Sequence, residues 1–472
     1  MRPAALTAIL ACVALLSAAA SASALSISVS GNHFVNGEGK TIRLLGVDRP
    51  STEYACADGY AYASGGENTA EPLDPLDEAD VEAIAAWKVD AVRIPLNEGC
   101  WLGHGGEPVD EKEPLTAAGY RAAIASYVSD LNAHGIYAIL DLHWTAPGEE
   151  GANGQRSMPD ANSLEFWTSV AGEFKNNHAV LFDAFNEPHG STTFPVTWSC
   201  WLEGGCEVPD ELEPAQADSP TYQAVGMQQL VDTIRATGAD QPILLGGLEW
   251  ANELGEWLNF EPEDPDHQLV ASFHNYQGEV CETEACWNDT IAPLAESVPV
   301  VTGEFAEEGC PASSLGPETF DNRFMRWADE HGVSYLAWGW IVPEHLECGA
   351  EYALISSWSG TPLAPNGVAL KAHLEALAAG PPPATAAPRA AGRPRVTGRA
   401  IPGHTVRCVS HWVALPAPTL SYRWLRDGRT LRGATRSTYR IPRSAHRWRL
   451  QCAVTARNSA GRATATSAAV RT

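Results

Sequence analysis

Short, almost uninterrupted apolar runs recur along most of the chain. The first is Leu44-Leu45-Gly46-Val47. Others are Ala91-Val92-Arg93-Ile94-Pro95, Tyr137 to Leu142, Val180 to Phe185, Pro242 to Leu245, Leu269 to Phe273, Val298 to Thr302 and Ser334 to Ala337. Runs of this kind suit parallel strands covered on both faces. The segments between them carry helical period or helix punctuation. Asp80 to Lys88 is periodic, and Thr116 can cap a helix that reaches His134 and stops at Gly135. Asn162 has Glu165 three residues on, a capping-box spacing. Ser219-Pro220 fits N-cap then N1 of a helix reaching Gly238, and the helix before the last strand stops at His331-Gly332. Eight strands alternating with helices over about 350 residues predict an α/β fold, a (β/α)8 barrel. A doubly wound open sheet is the alternative. It would be unusually large, and no G-x-G-x-x-G follows the first strand.

The pattern changes at both ends. Residues 1–24 carry Arg2, an apolar stretch from Ala4 to Ala20 and small residues at Ala22-Ser23-Ala24, the layout of a secretory signal. Ile27-Ser28-Val29 and Thr41 to Leu44 then flank Asn36-Gly37-Glu38-Gly39, which predicts a β-hairpin with an Asn-Gly turn. Residues 381–395 are rich in Pro, Ala and Arg and read as an extended linker between a body at 25–380 and a module at 396–472. The module has strand-like alternation, turn signals at Asp427-Gly428 and Asn458-Ser459, and Trp424 between Cys408 and Cys452. It resembles a small all-β immunoglobulin-like sandwich, in which a core Trp packs on an inter-sheet disulfide. Leu450 stands where that fold usually has the Tyr of its corner.

Charge sharpens this division. The 472 residues carry a net charge of −27, which argues against nucleic acid as a partner of the whole chain. Residues 25–380 hold 13 basic against 57 acidic residues, whereas residues 381–472 hold 17 Arg, no Lys and one acid, Asp427. Setting Cys12 aside leaves ten cysteines, an even number, and in an exported chain disulfides are the default.

Chemistry collects where strands give way to loops, the functional rim of such a barrel. The second run ends at Arg93, the third at His143-Trp144 and the fourth at Asn186-Glu187-Pro188. The sixth ends at His274-Asn275-Tyr276, the seventh at Gly303-Glu304-Phe305 and the eighth at Trp338-Gly339-Trp340. An acid after an apolar strand often just caps the next helix. Two Glu, two His, an Arg, an Asn and a Tyr on one rim exceed that explanation. Two carboxylates facing one cleft suit cleavage of a glycosidic bond: one protonates the leaving oxygen while the other stays ionised.

In this order and context, residues 30–375 resemble glycoside hydrolase family 5, the cellulase family of retaining (β/α)8 enzymes. The resemblance implies that Glu187 is the general acid/base and Glu304 the nucleophile. It further implies that Asn186 bonds the sugar 2-hydroxyl, that Tyr276 and Arg93 orient Glu304, and that His143 and His274 line the subsite before the scissile bond. Trp338 would be the stacking platform, with Trp340 a second candidate. No metal or organic cofactor is implied. The implied activity is a secreted endo-β-1,4-glucanase acting on polysaccharide by double displacement. A β-mannanase or other β-glycosidase of the family, and a non-catalytic carbohydrate-binding barrel, are the alternatives. The chain is expected to be an extracellular monomer without membrane partners, and its basic module is a candidate binder of anionic cell-wall polymer.

The eight body cysteines follow strand ends, so they fall on the loops of that rim. Cys200–Cys206, Cys281–Cys286, Cys56–Cys100 and Cys310–Cys348 are the expected bridges. Of 13 Trp in the body, Trp87 and Trp327 are expected in the core, and Trp101, Trp144, Trp198 and Trp201 are candidates for stacking on sugars.

Overall fold

The computed structural model describes residues 25–55, 76–105, 116–210, 215–309, 316–343, 346, 348–379, 387–410, 412–414, 418–458 and 460–472. It divides into two compact units, up to Leu374 and from Glu375 onward. The signal segment, Cys56 and Cys310 lie outside the described residues. Among the described residues, no helix is long and apolar enough to cross a membrane.

Eight parallel strands close into a barrel in chain order: Leu45–Asp48, Ala91–Asn97, Tyr137–Trp144, Val180–Asp183, Ile243–Gly246, Leu269–Tyr276, Val300–Ala306 and Ser334–Ala337. Closure excludes the doubly wound alternative. The second strand continues four residues past Arg93, so that side chain lies inside the barrel rather than at a strand end.

Alternation along the strands sorts their residues. Leu140, Leu142, Phe182, Leu245 and Phe273 face outward and pack against the helices in one large core. Ile139, Leu181, Leu244, Val270, Val301 and Leu336 face inward. Below them, Ile27 and Phe34 of a small N-terminal sheet complete the same apolar cluster. That sheet has two turns instead of the single expected hairpin. Ile27–Ser30 pairs with His33–Asn36, which then pairs with Thr41–Ile42 across the Asn36 turn. One layer above the inward apolar residues come Asp48, Arg93, Asp141, Asp183 and Ser272, all fully buried. The barrel interior therefore changes from apolar to charged toward its carboxyl end.

Two helix starts differ from expectation. The helix Ala161–Phe174 is capped by Asp160, with Ser163 completing the box, rather than by Asn162 and Glu165. Asp160, two residues before the predicted cap, offers a carboxylate to the Asn162 amide. Ser219-Pro220 starts no helix. Thr221–Val225 is a strand paired with Gly204–Pro209, and the helix runs over Met227–Ala236 from Gly226. The polar–apolar alternation of Thr221, Tyr222, Gln223 and Ala224 is a strand pattern, and it prevails over the local Ser-Pro signal. This hairpin is pinned by the Cys200–Cys206 disulfide. Cys281–Cys286 is likewise bridged, and Cys100 and Cys348 are each in disulfides.

Beyond the end of the helix Asn366–Ala379, the described residues of the second unit are all-β. Arg395–Thr397, Thr405–Val409 and Thr438–Arg440 form one antiparallel sheet. Thr419–Arg426, Arg429–Thr430, Arg449–Asn458, Gly461–Thr466 and Val470–Arg471 form another. Trp424 is fully buried in one cluster with the bridged Cys408 and Cys452, and Leu450 is buried beside them. Part of the predicted linker is ordered as strand: Arg389–Ala390 pairs with Trp412–Val413.

Candidate active site

Arg93 is the centre of the charged layer. A guanidinium has five N–H donors in a rigid fork, and here the fork meets five partners. Nε donates to Asp183 at 2.9 Å, Nη1 to Asp48 at 3.1 Å and to Glu304 Oε1 at 2.7 Å, and Nη2 to Asn186 Oδ1 at 2.6 Å. Nη2 also lies 3.1 Å from Asp141 Oδ1. Burial alone would pull the Arg93 guanidinium down, but Asp141, Asp183, Glu304 and Asp48 hold it charged. The carboxyls answer the same burial. Asp141 is pushed up to about 7 and Asp183 to about 8, with Arg93 pulling each back. Asp141 was not among the expected site residues, although period 2 puts it on the inward face of its strand with His143.

Glu304 reaches this layer through a bulge. Phe273 pairs with Thr302, but His274 pairs with Glu304, so Gly303 is skipped. A Cβ on Gly303 would lie 2.8 Å from His274 Nε2 and 3.0 Å from Ser272 Oγ. Glycine therefore lets the imidazole sit against the seventh strand while Glu304 turns inward. Tyr276 donates its hydroxyl to Glu304 Oε2 at 2.7 Å. Glu304 thus takes one donor on each oxygen.

Glu187 stands across the opening, just past the fourth strand. Its Oε1 lies 2.8 Å from His274 Nδ1, and the same nitrogen is 3.6 Å from Glu304 Oε2. One oxygen of each Glu and a ring nitrogen of His274 all fall within 4.8 Å of one another. Burial pushes the Glu187 carboxyl up to about 7, against the pull of His143, Arg93 and a Gln155 hydrogen bond. Burial also lowers His274 to about 3 and His143 to about 4, so both imidazoles are neutral at pH 7. A neutral imidazole beside Glu187 can donate to its ionised form or accept from its protonated form.

His143 is oriented from below by Asp141 at 2.6 Å and stacks on Trp338, with ring centres 5.6 Å apart and planes 13° apart. Trp338 is half-buried at the rim and joined to Gly339 by a cis peptide. All eight predicted site residues therefore converge on one opening. Trp340 does not join them. It is fully buried on Trp87 and donates to Asp80, so it is core. Trp101 and Trp201 also leave the list of stacking candidates. The short helices Glu98–Leu102 and Trp198–Glu203 turn both inward, and neither is exposed at all. Trp144 and Trp198 remain half-buried, the former edge-on to Tyr54.

Two features had no signal in the sequence reading. Gln155 touches both Asn186 and Glu187. Trp250, 40% exposed, stacks on buried His189 with ring centres 3.5 Å apart. His189 in turn reaches the Glu187 carbonyl at 2.7 Å. Glu249, Trp250 and Ala251 all have left-handed backbone, with φ of 52°, 59° and 57°. Such residues cost roughly 1–3 kcal/mol each, and strain of this kind gathers at functional sites.

Residues 60–342 match the family described as cellulase (glycosyl hydrolase family 5). The chain is 25% identical to the endoglucanase MaCel5A of a Microbulbifer species over 323 residues, 66% of this chain and 51% of that protein. It is 22% identical to endoglucanase A of Butyrivibrio fibrisolvens over 313 residues, 66% of this chain and 59% of that one. The chain thus spans a little over half the length of these relatives. A crystal structure of a β-glucanase from Saccharophagus degradans superposes with a TM-score of 0.53 at 19% identity, covering 74% of this chain and 93% of that one. That likeness concerns the fold.

Proposed function

The chain belongs to glycosyl hydrolase family 5, and from that premise we propose that it is a retaining, endo-acting hydrolase of β-1,4-glucan. The observation that carries the mechanism is the close approach of Glu187 and Glu304, whose nearest oxygens and the His274 nitrogen lie within 4.8 Å. Retaining pairs stand roughly 5–5.5 Å apart, while inverting pairs leave roughly 6.5–9.5 Å for a water.

In the first step a Glu304 oxygen bonds to the anomeric carbon as the glycosidic C–O bond breaks, and the Glu187 proton passes to the leaving oxygen. In the second, Glu187 takes a proton from water, the water oxygen bonds to the anomeric carbon and Glu304 departs. Arg93 and Tyr276 keep Glu304 aimed. Burial supports Glu187 as the proton carrier, because it keeps an acid form present near neutral pH. Asn186 bonds the 2-hydroxyl, His143 and His274 line the cleft, and Trp338 and Trp250 stack on sugar rings to either side. The substrate preference rests on the endoglucanases among the relatives.

A panel of carboxymethylcellulose, mixed-linkage glucan, mannan and xylan tests this reading. Viscosity of a β-1,4-glucan should fall well before reducing ends accumulate. Faster turnover of mannan, or none of any glucan, overturns it.

We extend the proposal to the rest of the chain. Residues 1–24 direct export, 25–380 form the catalytic domain, 381–395 link it onward, and 396–472 are an immunoglobulin-like module. The molecule acts as an extracellular monomer. The 17 Arg beyond residue 380 support adhesion to anionic cell-wall polymer, since guanidinium forks match phosphate and carboxylate. Pull-down of the full chain on isolated cell walls should be lost at high salt. Salt-independent retention contradicts that role.

A further inference from the structure

Gln155 lies in the loop between the third barrel strand and the helix Ala161–Phe174, away from every strand end that drew attention in the sequence. Its neighbours are fixed on several sides. The Thr145 amide donates to the Gly154 carbonyl at 3.3 Å, and the His189 amide to the Ser157 carbonyl at 3.0 Å. The Val225 amide donates to the Pro159 carbonyl at 2.8 Å, and buried Arg156 lies 3.4 Å from Asp210. A half-buried side chain on so constrained a loop has few places to go.

The amide of Gln155 spans two adjacent site residues. Nε2 donates to the Glu187 carbonyl at 3.0 Å and to Glu187 Oε2 at 3.4 Å. Oε1 accepts from Asn186 Nδ2. The Glu187 carbonyl can only accept, so the nitrogen of Gln155 must face it and the oxygen must face Asn186. That choice fixes the Asn186 amide in turn. Its nitrogen faces Gln155, and its oxygen takes the Arg93 hydrogen bond at 2.6 Å. One continuous chain of donors therefore runs from Arg93, which holds Glu304, through Asn186 and Gln155 to Glu187.

We propose that Gln155 is a positioning residue for the acid/base half of the site, clamping the Glu187 carboxyl through Nε2 and setting the Asn186 amide through Oε1. The inference rests on the hydrolase reading above and adds a residue to it. A donor on Glu187 Oε2 favours the ionised carboxylate, which opposes the effect of burial. The other groups that act on Glu187 are His274 and Tyr276 from the sixth strand, Arg93 from the second, His143 and Asp141 from the third, and Glu304 from the seventh. All of these side chains are retained when Gln155 alone is substituted.

The test uses the full chain with Gln155→Leu and Gln155→Glu. For Gln155→Leu, kcat/KM on an unactivated glucan should fall roughly tenfold, a fraction of what a general acid contributes. It should fall much less on a dinitrophenyl cellobioside, whose leaving group needs no proton. The alkaline limb of activity should move to higher pH, and further for Gln155→Glu, which sets a second carboxyl against Glu187. The Glu187 carboxyl is followed directly by carbon-13 NMR across the same pH range. An upward shift of its titration in both variants supports the proposal, whatever substrate the enzyme prefers. Wild-type failure on every glucan would defeat the substrate reading but leave this titration informative. An unmoved Glu187 titration in folded Gln155→Leu and Gln155→Glu overturns the proposal.

Discussion

Glu304 receives its hydrogen bonds from a guanidinium and a phenol, while Glu187, across the same opening, meets a neutral imidazole and an amide. The first set contains a permanent cation; the second contains none. The side chains are chemically identical, so the different work proposed for them must come from these surroundings. Placement explains the contrast. Glu304 belongs to a strand, and the Gly303 bulge turns it into the charged layer around Arg93. Glu187 follows the last ladder pair of its strand and is gripped by loop and neighbour groups instead. A site built this way gives one carboxylate a fixed counter-charge and leaves the other free to exchange its proton.

The comparison can be broken most directly at its charged end. Glu304→Gln should lower turnover by roughly ten-thousandfold while leaving circular dichroism and melting temperature close to wild type. Retained activity in that variant would remove Glu304 from the chemistry. Glu187→Gln should cost roughly a hundredfold to ten-thousandfold on natural glucan. With a dinitrophenyl glycoside its first step should be spared, and added azide should restore turnover by replacing the water that Glu187 would activate. No azide response would deny Glu187 the acid/base role.

The next effect is one of pH. Burial raises the Glu187 carboxyl to about 7, so its acid form persists through the ordinary carboxylate range. That form is progressively lost as pH rises through about 7. Activity that depends on the acid should fall over the same interval, read as kcat/KM against pH. A profile flat through pH 7 would show that another group carries the proton. The smallest effect concerns Trp250, proposed as a platform beside Glu187. Trp250→Ala should reduce kcat/KM roughly tenfold on long glucans, the scale of a lost ring contact, and less on short ones. Equal loss on long and short substrates would assign Trp250 to loop structure rather than to sugar.

Much of this was legible because barrel strands and their ends obey simple rules. Continuous apolar runs marked all eight strands, and polar residues directly after them marked Glu187, His274 and Glu304. Arg93, expected at a strand end, stands inside its strand, and Asp141, which drew no expectation, shares the inward face of its strand with His143. The hairpin of Gly204–Pro209 with Thr221–Val225 was hidden by Ser219-Pro220, a local helix signal overruled by pairing with a distant strand. Trp101 and Trp201 sit beside cysteines in loop-like sequence, yet short helices turn them into the core. Gln155 and Trp250 were beyond reach for another reason. Each takes its position from a loop whose path depends on remote partners, such as the Val225 amide on Pro159 and the Trp250 amide on the Pro188 carbonyl.

The division of labour between Glu304 and Glu187 has a stereochemical signature. If Glu304 forms a covalent glycosyl intermediate and Glu187 then activates water, the configuration at the anomeric carbon is inverted twice. Proton NMR of fresh cello-oligosaccharide hydrolysis, recorded before mutarotation, reads the first anomer released. The predicted result is the β-anomer appearing first, with the α-anomer growing in only later. Initial release of the α-anomer would mean a single displacement by water and would contradict the account.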